Sequence, residues 1–108
     1  MATSTIKTTE ASLYLQADYI DVYKQGHRID IIMHPSSTAT PSSGTIATLP
    51  APKGGRAMSN NCTYWSGSQE HEGILTIDAS GSLTVSDRSG TLQGARTYIR
   101  GMLTYLTA

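Results

Sequence analysis

Apolar and polar residues alternate in several short runs along the chain. Ile29, Ile31 and Met33 occupy every second position, which puts their side chains on one face of an extended strand. A second run with strand chemistry, residues 20–24, precedes them across Gly26. Because glycine favours tight turns between such runs, the two segments predict a β-hairpin.

The strongest local pattern lies between residues 73 and 85. Residues 73–77 and 82–85 are rich in β-branched and aliphatic side chains, and the four-residue loop between them contains Gly81. Glycine readily adopts the positive φ angle that tight loops of this kind require. These residues therefore predict an antiparallel hairpin with its turn at residues 78–81.

The closing segment, residues 97–106, fits two structures. Some of its apolar residues have helical spacing, but Gly101 and the many Thr and Tyr residues weigh against a helix. A strand with apolar side chains on both faces lies between two layers or contacts a partner subunit. As a strand, the segment would place Ile99, Leu103 and Tyr105 on one face and Tyr98, Met102 and Leu106 on the other.

Turn-forming residues recur at short intervals, which indicates an all-β fold, a small antiparallel β-sandwich or barrel. The length of 108 residues corresponds to one domain. Residues 1–12, rich in Thr and Ser, are interpreted as a flexible lead-in or linker remnant, and residues 13–108 as the domain. Residues 10–20 also fit a helical spacing, and a strand is favoured there.

Composition narrows the functional classes. Eight basic and eight acidic side chains balance, so the electrostatic signature of a nucleic-acid-binding protein is missing. The chain has one Trp and no Phe, and with so little net charge and so few large apolar residues we expect self-association. No apolar run is long enough to insert in a membrane, and the first residues lack a secretory signal, so we expect a soluble protein made in a cytoplasm.

The aromatic pair Tyr64 and Trp65 is the leading candidate for a binding site. It is flanked by amide and hydroxyl side chains, and rings beside hydrogen-bonding groups are typical of saccharide sites. The alternative, which the sequence slightly favours, is that Trp65 is the largest core residue of a domain without Phe. The candidate ligand-binding residues are Trp65, Tyr64, Asn61, Gln69 and His71.

No residue pattern supports catalysis, a metal or a cofactor. Residues 70–72, Glu-His-Glu, are interpreted as a solvated loop rather than an acid–base pair, because their side chains need not converge. A metal site built from His27, His34 and His71 has no supporting ligand spacing. Cys62 is alone, so no intrachain disulfide forms, and no neighbouring base activates it as a nucleophile.

Four segments together resemble a known family. They are an opening hairpin at residues 21–31, a strand ending in Thr-Leu-Pro at residue 50, the hairpin at residues 73–85, and a closing strand ending in Tyr-Leu-Thr at residue 107. In this order and spacing, they are similar to the C-terminal head domains of phage tail-fibre, baseplate and receptor-binding proteins. The resemblance covers residues 19–108, and the chain departs from it after Pro50, where the family usually has an aromatic residue and Arg-Pro.

The resemblance implies a jelly-roll-like head, usually trimeric, at the tip of a phage tail. Such a head would form a homotrimer, join the rest of the tail fibre or baseplate, and attach to a bacterial cell-surface saccharide without enzymatic activity. It would be synthesised in the host cytoplasm and function in the virion. The alternative is a structural component that trimerises the fibre or caps the baseplate and has no ligand. We expect specificity in residues 50–72, interpreted as irregular, because the chain leaves the family pattern there.

Overall fold

The computed structural model describes residues 12–108. The predicted lead-in lies outside the described residues except for Ser12, which begins the first strand. Eight β-strands and one short 3-10 turn, Lys53–Gly55, follow in chain order. The strands are β1 (Ser12–Ala17), β2 (Ile20–Gln25), β3 (Arg28–Met33), β4 (Thr45–Thr48), β5 (Met58–Ser66), β6 (Gln69–Ile77), β7 (Ser82–Asp87) and β8 (Thr97–Leu106).

All eight strands belong to one antiparallel sheet, in the order β1-β2-β3-β8-β5-β6-β7-β4. The closing strand of the chain therefore lies in the middle of the sheet, between β3 and β5. This arrangement confirms the predicted all-β antiparallel class. The only helical element within residues 12–108 is the three-residue turn, which is far too short to cross a membrane.

One apolar cluster forms the core, and strands from both halves of the sheet contribute to it. Strands that are distant in the sheet share this cluster, so the sheet curls over its inner face. Its two halves, β1–β3 on one side of β8 and β4–β7 on the other, therefore face each other as in the predicted sandwich. Burial of aliphatic side chains supplies the main driving force. The fully buried large side chains are Ile20, Val22, Ile29, Ile31, Leu75, Ile77, Leu83, Val85 and Ile99.

The strands predicted from local patterns are confirmed. β2 and β3 form the first hairpin, and Ile29, Ile31 and Met33 all point into the core. The ambiguous segment at residues 10–20 contains a strand, β1. β8 is also a strand, and its two apolar faces differ, since Ile99 and its alternate neighbours are buried whereas the opposite face is exposed.

The interpretation of residues 50–72 as irregular is wrong for most of that segment. β5 and β6 pair continuously from Met58 with Ile77 to Ser66 with Gln69. Residues 70–72, expected in a loop, therefore lie within β6. Their side chains are polar and exposed, so they lack the alternation typical of a strand, and backbone hydrogen bonding to β5 keeps them extended.

Two aspartate-centred loops bracket β7. The Asp78 carboxylate accepts hydrogen bonds from the Ser80 hydroxyl and from the backbone N–H groups of Ser80 and Ser82. Asp87 repeats the pattern with Ser89 and Thr91. The serine hydroxyl, followed by the backbone donors, holds the pKa of each carboxyl below its usual value. The ionised aspartates therefore organise both loops, as Asp commonly does in turns.

The two loops differ in the space around their glycines. Gly81 has φ +92°, and its backbone approaches residue 49 so closely that an added Cβ would overlap the Leu49 carbonyl oxygen. The same contact carries a hydrogen bond of 2.7 Å from the Leu49 N–H to the Gly81 carbonyl oxygen. Gly90 has φ +94°, and an added Cβ there would have no atom within 4 Å.

Substituting each glycine by alanine separates backbone strain from steric overlap. We expect Gly90→Ala to lower the free energy of unfolding by about 1 kcal/mol, the cost of a side chain at positive φ. Gly81→Ala should cost about 2 kcal/mol or more, because its Cβ must also displace the residue 49 backbone. Urea unfolding of both variants measures the difference, and equal losses would contradict the overlap at Gly81.

Cys62 lies in the core, and burial raises the pKa of its thiol to about 11. Because the thiolate is the reactive form, we expect the thiol of the folded protein to react slowly with iodoacetamide at pH 8, and quickly once urea unfolds the chain. Mass spectrometry of timed samples measures both rates. Equal rates in the folded and unfolded protein would show that the thiol is accessible.

Candidate functional site

Tyr64 and Trp65 are neighbours in β5, so their side chains point to opposite faces of the sheet. Tyr64 points inward, is 4% exposed and belongs to the core. Trp65 is half-buried on the outer face, which we define as the face of the sheet turned away from the core. The expectation that Trp65 fills the core is therefore wrong. Tyr64 is the aromatic core residue of β5.

On the outer face, Trp65 forms an aromatic pair with Tyr98 of β8. The ring centroids lie 5.6 Å apart with an angle of 59° between the ring planes, a tilted arrangement typical of favourable aromatic contacts. The indole N–H of Trp65 donates a hydrogen bond of 3.2 Å to Glu70 Oε2 on the adjacent strand β6. Glu70 therefore fixes the orientation of the indole, and Tyr98 supports one side of it.

The backbone at Tyr98 is unusual. Its φ is +50°, a conformation that costs a bulky residue roughly 1–2 kcal/mol. The register of β5 against β8 shifts between Thr63 and Trp65, next to this residue, and the Tyr98 N–H donates to the Ser36 carbonyl oxygen at 2.9 Å. Strained residues and register shifts are frequent at binding sites, where they redirect a side chain.

The sequence predicts that Tyr98 shares one face of the closing strand with Met102 and Leu106, but it does not place Tyr98 beside Trp65. The two residues are brought together by the pairing of β5 with β8, and their exact approach depends on the register shift. Neither feature has a local signal in the sequence. The one available clue is the aromatic character of Tyr98, which shares a face of the closing strand with Met102 and Leu106.

The other candidate residues do not converge on Trp65. Asn61 shares the outer side of β5 with Trp65, whereas Gln69 and His71 alternate with Glu70 and share the inner side with Tyr64. His71 stacks on the Tyr64 ring with centroids 5.6 Å apart. The five candidates are thus divided between the two faces of one hairpin, and their role in ligand binding stays a prediction.

Two open cavities flank this hairpin. The first, of about 330 Å³, includes Asn61, Thr63 and Arg100, and in it Arg88 donates to Glu72 at 3.2 Å. The second, of about 500 Å³, lies along the side of the hairpin that carries Tyr64 and His71, and it adds hydroxyl, amide and carboxylate groups. Residues lining the second cavity are Tyr64, Ser66, Glu70, His71, Glu72, Asp87, Arg88 and Gln93.

The three histidines lie in different parts of the fold. His27 is in the β2–β3 turn, where its ring contacts the Ala108 carbonyl oxygen at 3.3 Å, and His34 follows β3 and lies 3.3 Å from the Asp21 carboxylate. His71 is in β6. Within residues 12–108, no group of three or more potential metal ligands is close enough to hold an ion.

Comparison with known proteins adds evidence on the fold. No protein-family model matches the chain. No curated protein matches it either. Among solved structures, the chain is similar to the head domain of phage bIL170, reported in a study of the receptor-binding domains of lactococcal phages. The TM-score is 0.52 at 14% identity, and the match covers 95% of this chain and 99% of that chain. The resemblance found in the sequence is therefore confirmed at the level of the fold: this chain folds like the head domain of a lactococcal phage.

Proposed function

We propose that this chain is the receptor-binding head of a phage tail and attaches to a saccharide on the bacterial cell surface. The observation that carries the proposal is the Trp65–Tyr98 pair, displayed on the outer face of a fold similar to a phage head domain. The chain would function at the tail tip of the virion, attached to the rest of the fibre or baseplate. Its synthesis would take place in the host cytoplasm.

The aromatic pair has the chemistry that a sugar requires. A sugar ring presents C–H groups on one face, and these pack on an aromatic ring, while its hydroxyl groups need hydrogen-bond partners at the edge. Glu70 supplies a carboxylate beside the indole, and Thr63, two residues before Trp65 on the outer side of β5, supplies a hydroxyl. Because Glu70 and Tyr98 hold the indole in place, little side-chain freedom is lost on binding.

The carboxylates near the pair support binding rather than catalysis. Glu70 accepts a hydrogen bond from the indole N–H and Glu72 accepts one from Arg88, so each carboxylate already has a partner within the protein. A catalytic carboxyl group instead requires an open position next to the bond to be cleaved. We therefore propose a non-enzymatic attachment protein without a cofactor.

The outer face also supports self-association. It exposes large apolar side chains along β8 and on the edge strand β1, and exposed side chains of this kind are candidates for burial against a partner. In a trimer, neighbouring copies would cover the outer face around Met102 and would leave the Trp65–Tyr98 pair open to a ligand. The exposed fractions are 50% for Leu13, 40% for Tyr98, 57% for Met102 and 58% for Leu106.

The alternative function is a structural tip that trimerises a fibre and has no ligand. The same exposed apolar face favours it, since assembly alone would account for Met102 and Leu106. The orientation of Trp65 by Glu70 favours the receptor-binding function, because an assembly contact does not require a hydrogen bond that fixes the indole.

Saccharide binding is tested by substituting the aromatic pair. We expect the protein to bind part of an array of bacterial surface saccharides, and Trp65→Ala and Tyr98→Ala to weaken that binding more than about tenfold, as for a central aromatic contact. Tyr14→Ala is the matched control, because Tyr14 is 48% exposed on β1, and binding should be unchanged. If a folded Trp65→Ala variant still binds saccharide, the aromatic pair is not the site. If the parent protein binds no saccharide and no host envelope, the structural tip is favoured.

The oligomeric state is tested by light scattering. We expect a mass of three times 11.5 kDa at micromolar concentration. Met102→Lys should convert the trimer to monomers, because burying a charge at the centre of an apolar interface is costly. The substitution should leave the secondary structure intact, because the Met102 side chain is exposed in the single chain. A monomeric parent protein, or a trimer that is insensitive to Met102→Lys, would contradict this interface.

A further inference from the structure

A third cavity, of about 260 Å³, lies away from the aromatic pair and has a different lining. Its apolar part comes from Pro52, Met58 and Leu106, and its polar part from Lys53 and Arg56. We call this cavity the basic cleft. No residue lining it belongs to the cavities beside the β5–β6 hairpin.

The fold creates the basic cleft where β5 and β8 stop pairing. Their pairing begins at Cys62 on the β5 side, so Met58 and Leu106 lie beyond it on the two strands. The segment before β5 closes the cleft, and it is anchored by the bridge between Pro52 and Thr107. Gly54, with φ +74°, allows the tight turn that carries Lys53 and Arg56 on either side of it.

The charge of the basic cleft is not compensated. Lys53 and Arg56 form no ion pair or side-chain hydrogen bond with any of residues 12–108, and no acidic side chain lines the cleft. In the first cavity, by contrast, Glu72 neutralises Arg88. Two unpaired cations around one small cavity are notable in a chain whose net charge is zero. The geometry points to an anion as the missing partner.

We propose that the basic cleft binds a compact anionic group, a phosphate or a carboxylate, whose carbon skeleton lies on the apolar surface of Met58 and Leu106. Guanidinium and ammonium groups form short, charge-assisted hydrogen bonds with the oxygens of both anions. The neighbouring apolar side chains exclude water from one side of the site and strengthen the attraction. The volume suits a group of a few heavy atoms rather than a protein surface.

The first experiment is a titration followed by ¹H–¹⁵N NMR with glycerol 3-phosphate, glucuronate and glycerol. The two anions should shift the amide signals of residues 53–58 and of residue 106, and added salt should weaken both effects, since the attraction is largely electrostatic. Shifts with glycerol 3-phosphate alone would identify phosphate as the anion, and shifts with glucuronate alone would identify carboxylate. Glycerol shifting the same signals equally, or no shift with either anion, would overturn the proposal.

The second experiment removes the charges. The double substitution Lys53→Gln and Arg56→Gln should weaken anion binding more than tenfold. Thermal unfolding should be unchanged, because both side chains are exposed. Arg100→Gln is the matched control, because Arg100 is exposed, lies outside the cleft and forms no ion pair or side-chain hydrogen bond with residues 12–108. Unchanged binding in the double variant, or an equal loss in the control, would show non-specific attraction and overturn the site.

This inference is independent of the aromatic pair, and the two sets of results are distinguishable. Binding of a neutral saccharide depends on Trp65 and should be unaffected by Lys53→Gln and Arg56→Gln. Binding of glycerol 3-phosphate should likewise persist in Trp65→Ala. A loss of glycerol 3-phosphate binding in Trp65→Ala would place the anion at the aromatic pair and contradict the basic cleft.

Discussion

The fold depends on the position of β8 in the centre of the sheet. Within residues 12–108, β8 is the only strand that pairs with both halves, with β3 on one side and with β5 on the other. Its inner face contributes Ile99, Leu103 and Tyr105 to the shared core. The hydroxyl of Tyr105 also donates to the Pro50 carbonyl oxygen at 2.7 Å, which fixes the segment leading to β5. Without β8, each half would expose an edge and part of its apolar face.

The same strand positions the three surfaces to which we assign functions. Tyr98 at its beginning supports Trp65, Met102 near its centre lies on the exposed apolar face, and Leu106 at its end forms one side of the basic cleft. The inner side chains of β8 are held in the core, so the outer side chains are presented on a rigid support. This is the arrangement that precise recognition requires, because little order has to be gained on binding.

A domain without Phe stabilises its loops by hydrogen bonding as well as by packing. The Asp78 carboxylate accepts three hydrogen bonds from the loop that follows it, and the Asp87 carboxylate accepts four. These two loops hold the two ends of β7. Gly81 then lets one loop contact the backbone of residue 49 next to β4, which is an edge of the sheet. Polar loop residues thus connect the edge strand β4 to the strands that form the core.

The sequence by itself determined the all-β class and the two hairpins, and it favoured a strand with two apolar faces for the closing segment. Alternation and turn residues are local, so they are visible before any strand is paired. The tertiary structure decided that polar residues 58–72 form strands, because their conformation comes from backbone pairing with each other and with β8. It also decided that Tyr64 is buried, that Trp65 meets Tyr98, and that Lys53 and Arg56 border one cleft with Leu106. Each of these contacts depends on the order and the register of strands that are distant in the sequence. Strand order and register have no local signature in the chain.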